Sequence, residues 1–363
     1  MSLPFSLSKT PIASHCFSAD RSHLAITQGN DVLLYNMSIT PPKLVATLKH
    51  HDKPITCVDI AADGKIVTCS QDRNALVWTP VNGEYKQTLV LLRINRAATV
   101  VRWSPNSDKF AVGSSARVIS VCFYEEENDW WISKHIKKPL KSTILSLDWH
   151  QNNVLLSCGS TDGHVRVFST WIKGIDPKPE ATIWGTKLPF QTLCLEVNVG
   201  AWVHDVKFDP SYQSVAAVGH DGSLFVIYPQ GDGTETPVPY QLSKTISNGL
   251  PFTSLLYIDE AKIVTAGFDC HPLVFINSGN GQWEFSYSID DPKNKKLDEA
   301  TKEQTALNMF RAMDLKGSTQ VKSKLDTIHQ NTINEIRMFQ KGANGVIRFS
   351  TCGDDGVVVV WDA

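Results

Sequence analysis

Apolar residues in this chain come in short runs with turns between them. Leu76-Val77-Trp78, Val165-Arg166-Val167-Phe168, Leu224-Phe225-Val226-Ile227 and Val357-Val358-Val359-Val360-Trp361 are brief and rich in β-branched and aromatic residues, the composition of half-buried strands. Ala62-Asp63-Gly64, Asp162-Gly163, Asp221-Gly222 and Asp355-Gly356 stand where tight hairpins would turn. One stretch departs from this pattern. Ala306, Met309, Phe310 and Met313 recur at i, i+3, i+4 and i+7, which predicts one face of an amphipathic helix over about residues 298–316. Leu307 flanks that face, Asp298 can cap the start, Arg311 and Lys316 suit the C-terminal end, and Gly317 provides a stop.

The strand runs repeat. Asp72 precedes Trp78 by six residues, and so do Asp162 and Phe168, Asp269 and Phe275, and Asp355 and Trp361. With the residue closing each third strand as marker, the series is Tyr35, Trp78, Cys122, Phe168, Ile227, Phe275 and Trp361. The gaps are 43, 44, 46, 59, 48 and 86 residues. Most lie near the roughly 40–45-residue period of four-stranded propeller blades. Seven markers predict seven blades in one domain over residues 1–363. The chain stops just after a third strand, so residues 3–9 are expected to supply the missing fourth strand and close the ring.

Two gaps exceed the period. The first holds Trp171 to Pro179, a Pro-containing stretch that reads as an irregular connection. The second leaves ~40 surplus residues between blades 6 and 7. They fall at about 290–327 and carry the predicted helix between charged arms. The pattern alone leaves open whether that helix folds back on the propeller or presents its tip to another protein.

Composition narrows the function. The 363 residues hold 35 Lys+Arg against 37 Asp+Glu, a net charge of -2, so there is no basic footprint for nucleic acid. No run nears the roughly 18 apolar residues of a membrane span. The start, Met1-Ser2-Leu3-Pro4-Phe5, lacks the features of a secretory signal. The eight cysteines include no C-x-x-C pair and read as reduced, buried thiols of a cytosolic protein. No phosphate loop, metal-ligand cluster or nucleophile elbow is found, so no cofactor, metal or catalytic residue is expected.

Blade 2 carries the fullest polar pattern: His51, Ser70, Asp72 and Trp78 stand at the spacing of the hydrogen-bonded tetrad of WD-repeat blades. In the expected arrangement Ser70 accepts the Trp78 indole N–H and His51 links Ser70 to Asp72, so each buried polar group has a partner. His329 restores the histidine in blade 7, whereas Arg96 or Lys141 stands there in other blades. A hydrolase triad is the weaker reading, since no oxyanion donor is signalled. His204 and Asp205 read as a blade element. Glu125 to Trp131 sets Trp130 and Trp131 beside an acidic turn, either as packing or as an interface hot spot. Lys134, His135, Lys137, Lys138 and Lys141 follow, either as a solvated face or as a seat for an acidic partner.

The chain resembles the WD-repeat subunit of the actin-related protein 2/3 complex. The resemblance rests on Leu89-Val90-Leu91-Leu92-Arg93-Ile94-Asn95-Arg96-Ala97-Ala98-Thr99, Arg102-Trp103-Ser104-Pro105-Asn106, Lys109-Phe110-Ala111-Val112-Gly113-Ser114, Glu127-Asn128-Asp129-Trp130-Trp131, Ser142 to His150, Ile328-His329-Gln330-Asn331 and Met309-Phe310-Arg311-Ala312-Met313-Asp314. It is less close from Tyr212 to Gln282. It implies an all-β, seven-bladed WD40 β-propeller with a protruding helical insert. The implied role is a non-catalytic scaffold in branched actin nucleation, in the cytoplasm at cortical patches or the leading edge. The implied partners are the second actin-related protein, two smaller subunits, the actin filament and the acidic tails of nucleation-promoting factors. The insert residues Ala306, Leu307, Met309, Phe310, Arg311 and Met313 would meet actin. The alternative is a generic WD-repeat adaptor or substrate receptor in another assembly.

Overall fold

Each of the seven markers lies in the third strand of its own four-stranded antiparallel sheet. The computed structural model describes residues 2–247, 249–290, 325–343 and 345–363. Blades 1 to 6 run in chain order, over residues 15–49, 55–90, 98–136, 144–198, 203–246 and 252–288. Blade 7 takes three strands from the C-terminal part, Ile333–Gly342, Gly345–Gly353 and Val357–Asp362. Its fourth is the N-terminal strand Ser2–Ser6, antiparallel to Val357–Asp362 with Ser2 opposite Trp361 and Ser6 opposite Val357. The expected closing strand over residues 3–9 is therefore paired at its start, while Leu7 and Ser8 donate their amides to the Gly356 carbonyl. The predicted helix over 298–316, with Ala306, Leu307, Met309, Phe310, Arg311 and Met313, lies outside the described residues.

A blade cannot bury both faces of its own sheet, so the apolar clusters form between neighbours. Val77 of blade 2 joins Phe110 and Ile119 of blade 3 and Ile144 of blade 4 in one cluster. Leu24 and Ile26 of blade 1 meet Val358 and Val360 of blade 7 in another. All eight cysteines are buried and free, and burial raises the thiols of Cys122, Cys158 and Cys194.

The long gap after Phe168 is a connection inside blade 4, between its third strand, His164–Ser169, and its fourth, Leu193–Asn198. It is pinned by burial. Trp184 is fully enclosed and donates its indole N–H to the Tyr212 carbonyl at 3.0 Å. The Lys109 ammonium of blade 3 meets the Asp176 carboxylate at 2.5 Å with both side chains sealed from solvent. Asp176 also accepts from Asn153 and from the Ile172 amide.

Deleting residues 1–10 removes the strand that covers the Val357–Asp362 edge. The expected result is a lower melting temperature and a larger, heterogeneous species on gel filtration; unchanged behaviour in both measurements contradicts this account of closure.

Candidate functional site

The innermost strands of the blades surround an axial channel, and six of them share one irregularity. In blades 2 to 7 the register slips after the first residue of the inner strand, between Ile55/Cys57, Ala98/Val100, Ile144/Ser146, Val203/Asp205, Phe252/Ser254 and Ile333/Glu335. The residue skipped is unpaired in its own ladder. Thr56, Thr99, Leu145, His204, Thr253 and Asn334 are those residues, and all six line the channel. Three turn their hydroxyls to the carbonyl of the next blade: Thr56 to Ala98, Thr99 to Ile144, and Thr253 to Ile333.

The inner strands also leave amides with no partner in their own sheet. Side-chain acceptors from the preceding blade take them up. Ser14 accepts the Val58 amide at 3.3 Å, Asp59 that of Trp103 at 2.8 Å, and Asp148 that of Phe208 at 2.9 Å. Asp205 accepts from Leu255 at 3.1 Å, Ser254 from Ile336 at 3.1 Å, and Glu335 from His15 at 2.9 Å. Between blades 3 and 4 the Trp149 indole donates to the Arg102 carbonyl instead. Asp205 is thus a link between blades, and His204 a channel-lining residue.

Glu335 does more. Arg102 of blade 3 reaches its carboxylate across the axis at 2.7 Å, and Arg337 contacts it at 2.9 Å while bridging to Asp59 of blade 2 at 3.0 Å. Burial alone would raise the Glu335 carboxyl, but the two guanidiniums hold it well below the usual carboxylate range. His15, Glu335 and Cys352 offer three possible ligand atoms within 4.8 Å of one another. Glu335 is already shared by two guanidiniums, and burial keeps the Cys352 thiol protonated.

The tetrad exists, with one residue exchanged. The Trp78 indole donates at 3.1 Å to Thr68, not to Ser70, and His51 meets Thr68 at 2.9 Å through Nε2 and Asp72 at 2.7 Å through Nδ1. Trp78 pairs with Ile66, so Ser70 lies about 13 Å along the strand and Thr68 about half that. Ser70 instead donates to the Lys53 carbonyl and accepts the Asp72 amide. Burial lowers the His51 imidazole despite Asp72, which suits a neutral ring accepting from Thr68. Blade 7 repeats the set with His329, Asp355, Thr351 and Trp361.

The aspartates of the six-residue repeat share a simpler role. Asp72, Asp162, Asp269 and Asp355 each accept the backbone amide of the loop entering their blade, from Asp52, Lys141, Leu250 and Gln330 at 2.9–3.2 Å. In blade 4 the fully buried Arg166 supplies the positive partner of Asp162 at 3.0 Å. Sequence reasoning missed that residue, although an arginine inside a strand run was a signal.

The structure separates Trp130 and Trp131 from the lysines. Both tryptophans begin the outer strand Trp130–Ile136 of blade 3, whereas Lys137, Lys138 and Lys141 follow its other end, about 20 Å away. Trp130 is 51% exposed and bonds Glu125. Trp131 is half-buried against Phe110, Trp103 and Tyr124. Lys134 lies over the rings of Phe123 and Phe190. Lys137, Lys138 and Lys141 are exposed and make no ion pair among the described residues. The same end of the propeller carries exposed Lys53, Arg73, Arg93, Arg96 and Arg117 on blades 2 and 3. Blades 5 and 6 present Trp202, tilted against His220, and Phe268 at the corresponding turns. Of these, only the stretch with Lys137, Lys138 and Lys141 was apparent in the sequence. The flanks of 291–324 also meet at this end, where Asp290 accepts the Ile328 amide. No helix among the described residues is long and apolar enough to cross a membrane.

This geometry defines a WD-repeat β-propeller, and residues 42–79 and 133–169 match the model of the WD domain, G-beta repeat. The chain is 47% identical to actin-related protein 2/3 complex subunit 1 of Saccharomyces cerevisiae over 98% of its length and 96% of the relative. It is 46% identical to the Schizosaccharomyces pombe subunit 1, covering 97% and 96%, and 42% identical to subunit 1A-B of Xenopus laevis, covering 97% and 94%. The chain belongs to the family of actin-related protein 2/3 complex subunit 1.

Replacing Thr68 with Val keeps its shape but strands the Trp78 and His51 nitrogens. The expected loss is about 3 kcal/mol in urea unfolding, against about 1 kcal/mol for Ser70→Ala. Equal losses would return the central role to Ser70.

Proposed function

We propose that this protein is a non-catalytic scaffold subunit of an actin-related protein 2/3 complex, acting in branched actin nucleation at the cytoplasmic actin cytoskeleton, in cortical patches or at the leading edge. The observation that carries this reading is identity of 47% over nearly the whole length of both chains. In keeping with it, the tetrads and the channel-lining Thr56, Thr99, Thr253, Asp205 and Glu335 are tied to one another or to the backbone. The second actin-related protein and two smaller subunits are its neighbours in this reading. Affinity purification of the tagged chain tests it: the other subunits of the complex are expected to co-purify, and an unrelated set of proteins overturns it.

Two surfaces carry the finer roles. The exposed loops of blades 2 to 4 gather Lys137, Lys138 and Lys141 with Lys53, Arg73, Arg93, Arg96 and Arg117, all without ion-pair partners among the described residues. This unneutralised charge supports docking of the acidic tails of nucleation-promoting factors, which is salt-sensitive. The insert, with Ala306, Leu307, Met309, Phe310, Arg311 and Met313, is the proposed contact to the mother filament. Its flanks stand at the same end of the propeller.

Charge reversal at Lys137 and Lys138 is expected to weaken activator binding about tenfold at low salt in a fluorescence titration, and unchanged affinity rejects the basic surface as its seat. Phe310→Ala with Met313→Ala is expected to leave the complex assembled but lower branch density in a filament-imaging assay. Full branching by the double variant favours an insert that folds back on its own propeller.

A further inference from the structure

The seam between blades 2 and 3 is closed at one end and open at the other. At the closed end, Ser133 and His135 of blade 3 bond to the carbonyls of Leu91 and Leu92. Toward the third-to-fourth-strand hairpins the sheets part and leave a groove of about 830 Å³. Its width has a cause in the sequence. Blade 2 lines it with the small side chains Thr79 and Thr88. At the corresponding seam between blades 5 and 6, Trp283 fills the space and bonds Tyr228 at 2.9 Å.

The groove has a built floor and charged walls. Trp131 forms the floor, held edge-on by Trp103 and at a tilt by Phe110. Its indole N–H makes no hydrogen bond among the described residues, whereas that of neighbouring Trp130 bonds Glu125. Val81, 46% exposed, faces it from blade 2. Lys86 stands on the blade 2 wall with no carboxylate partner among the described residues, and Glu126 on the blade 3 wall with no cation. Packed sheets lie ~10 Å apart with one layer of side chains between them, so where these two sheets part the space is left for another chain.

We propose that this groove seats an extended segment of another subunit of the complex. The segment lays a large apolar side chain between Trp131 and Val81, gives a backbone carbonyl to the Trp131 indole, and sets a carboxylate at Lys86 and a cation at Glu126. Aromatic side chains with an available N–H are favoured anchors at such contacts, and opposed wall charges fix the register of the bound segment. The inference rests on membership of the complex. It develops the subunit-contact reading of Trp130 and Trp131 and is independent of the basic loops at the other end.

The test uses the assembled complex, purified through the tagged chain with Val81→benzoylphenylalanine, and irradiated without activator. Co-purification of the other subunits is read first from the same sample, so loss of membership is seen separately from failure of the groove. The expected result is an adduct joining position 81 to one segment of another subunit, with Lys86→Glu lowering its yield about tenfold. No adduct, an adduct only within the same chain, a yield untouched by Lys86→Glu, or an adduct that appears only when an activator peptide is added each overturns the proposal.

Discussion

The inner strand of every blade turns an unpaired edge toward the axis, and the fold depends on how that edge is satisfied. A strand edge with free amides is costly when water cannot reach it and invites wrong pairing when it can. Six of the seven edges receive a carboxylate or hydroxyl from the blade before, from Ser14 round to Glu335, and blades 3 and 4 are joined by the Trp149 indole and the Arg102 carbonyl instead. The same inner strands carry the register slip that turns Thr56, Thr99 and Thr253 toward the next blade. Closure by Ser2–Ser6 completes the ring, so that the links run from blade 7 back to blade 1 through Glu335 and the His15 amide.

What could be read in the sequence was what depends on neighbours along the chain. The six-residue interval from Asp to aromatic survives because the aspartate sits in the tight turn and the aromatic in the strand that leaves it. Both belong to one hairpin. Blade count and the site of the long insertion followed from the same interval. Thr68 was mistaken for Ser70 because the choice depends on pairing register, which the pattern of strand formers does not specify. The links between blades were hidden for a different reason. Asp59 and the Trp103 amide are 44 residues apart, and Lys109 and Asp176 are 67; neither residue signals the other. Likewise Trp131 and Lys137 looked like one cluster because they are six positions apart, but an extended strand between them puts them at opposite ends of a blade.

The buried charges serve position more than stability. Burying a carboxylate with an ammonium costs desolvation that their attraction only about repays. Lys109 and Asp176 nevertheless fix where the long connection of blade 4 lies, since any shift would leave an unpaired charge in the interior. Arg166 does the same for Asp162, where the histidine of the full tetrad is missing. Blades with degenerate repeats thus keep their loops in place by other chemistry, while the aspartate continues to receive the incoming amide.

The pair between Arg102 and Glu335 crosses the axis, and this bears on how the ring holds together. The connection between blades 6 and 7 is rooted at Asp290 and Ile328, five residues before the strand that holds Glu335 and Arg337. Through these side chains that root is tied to Arg102 in blade 3 and Asp59 in blade 2. Parting blade 7 from its neighbours therefore means breaking contacts on both sides of the ring together. The propeller is in this sense a braced hoop, with its cross-tie at the blade that follows its longest insertion.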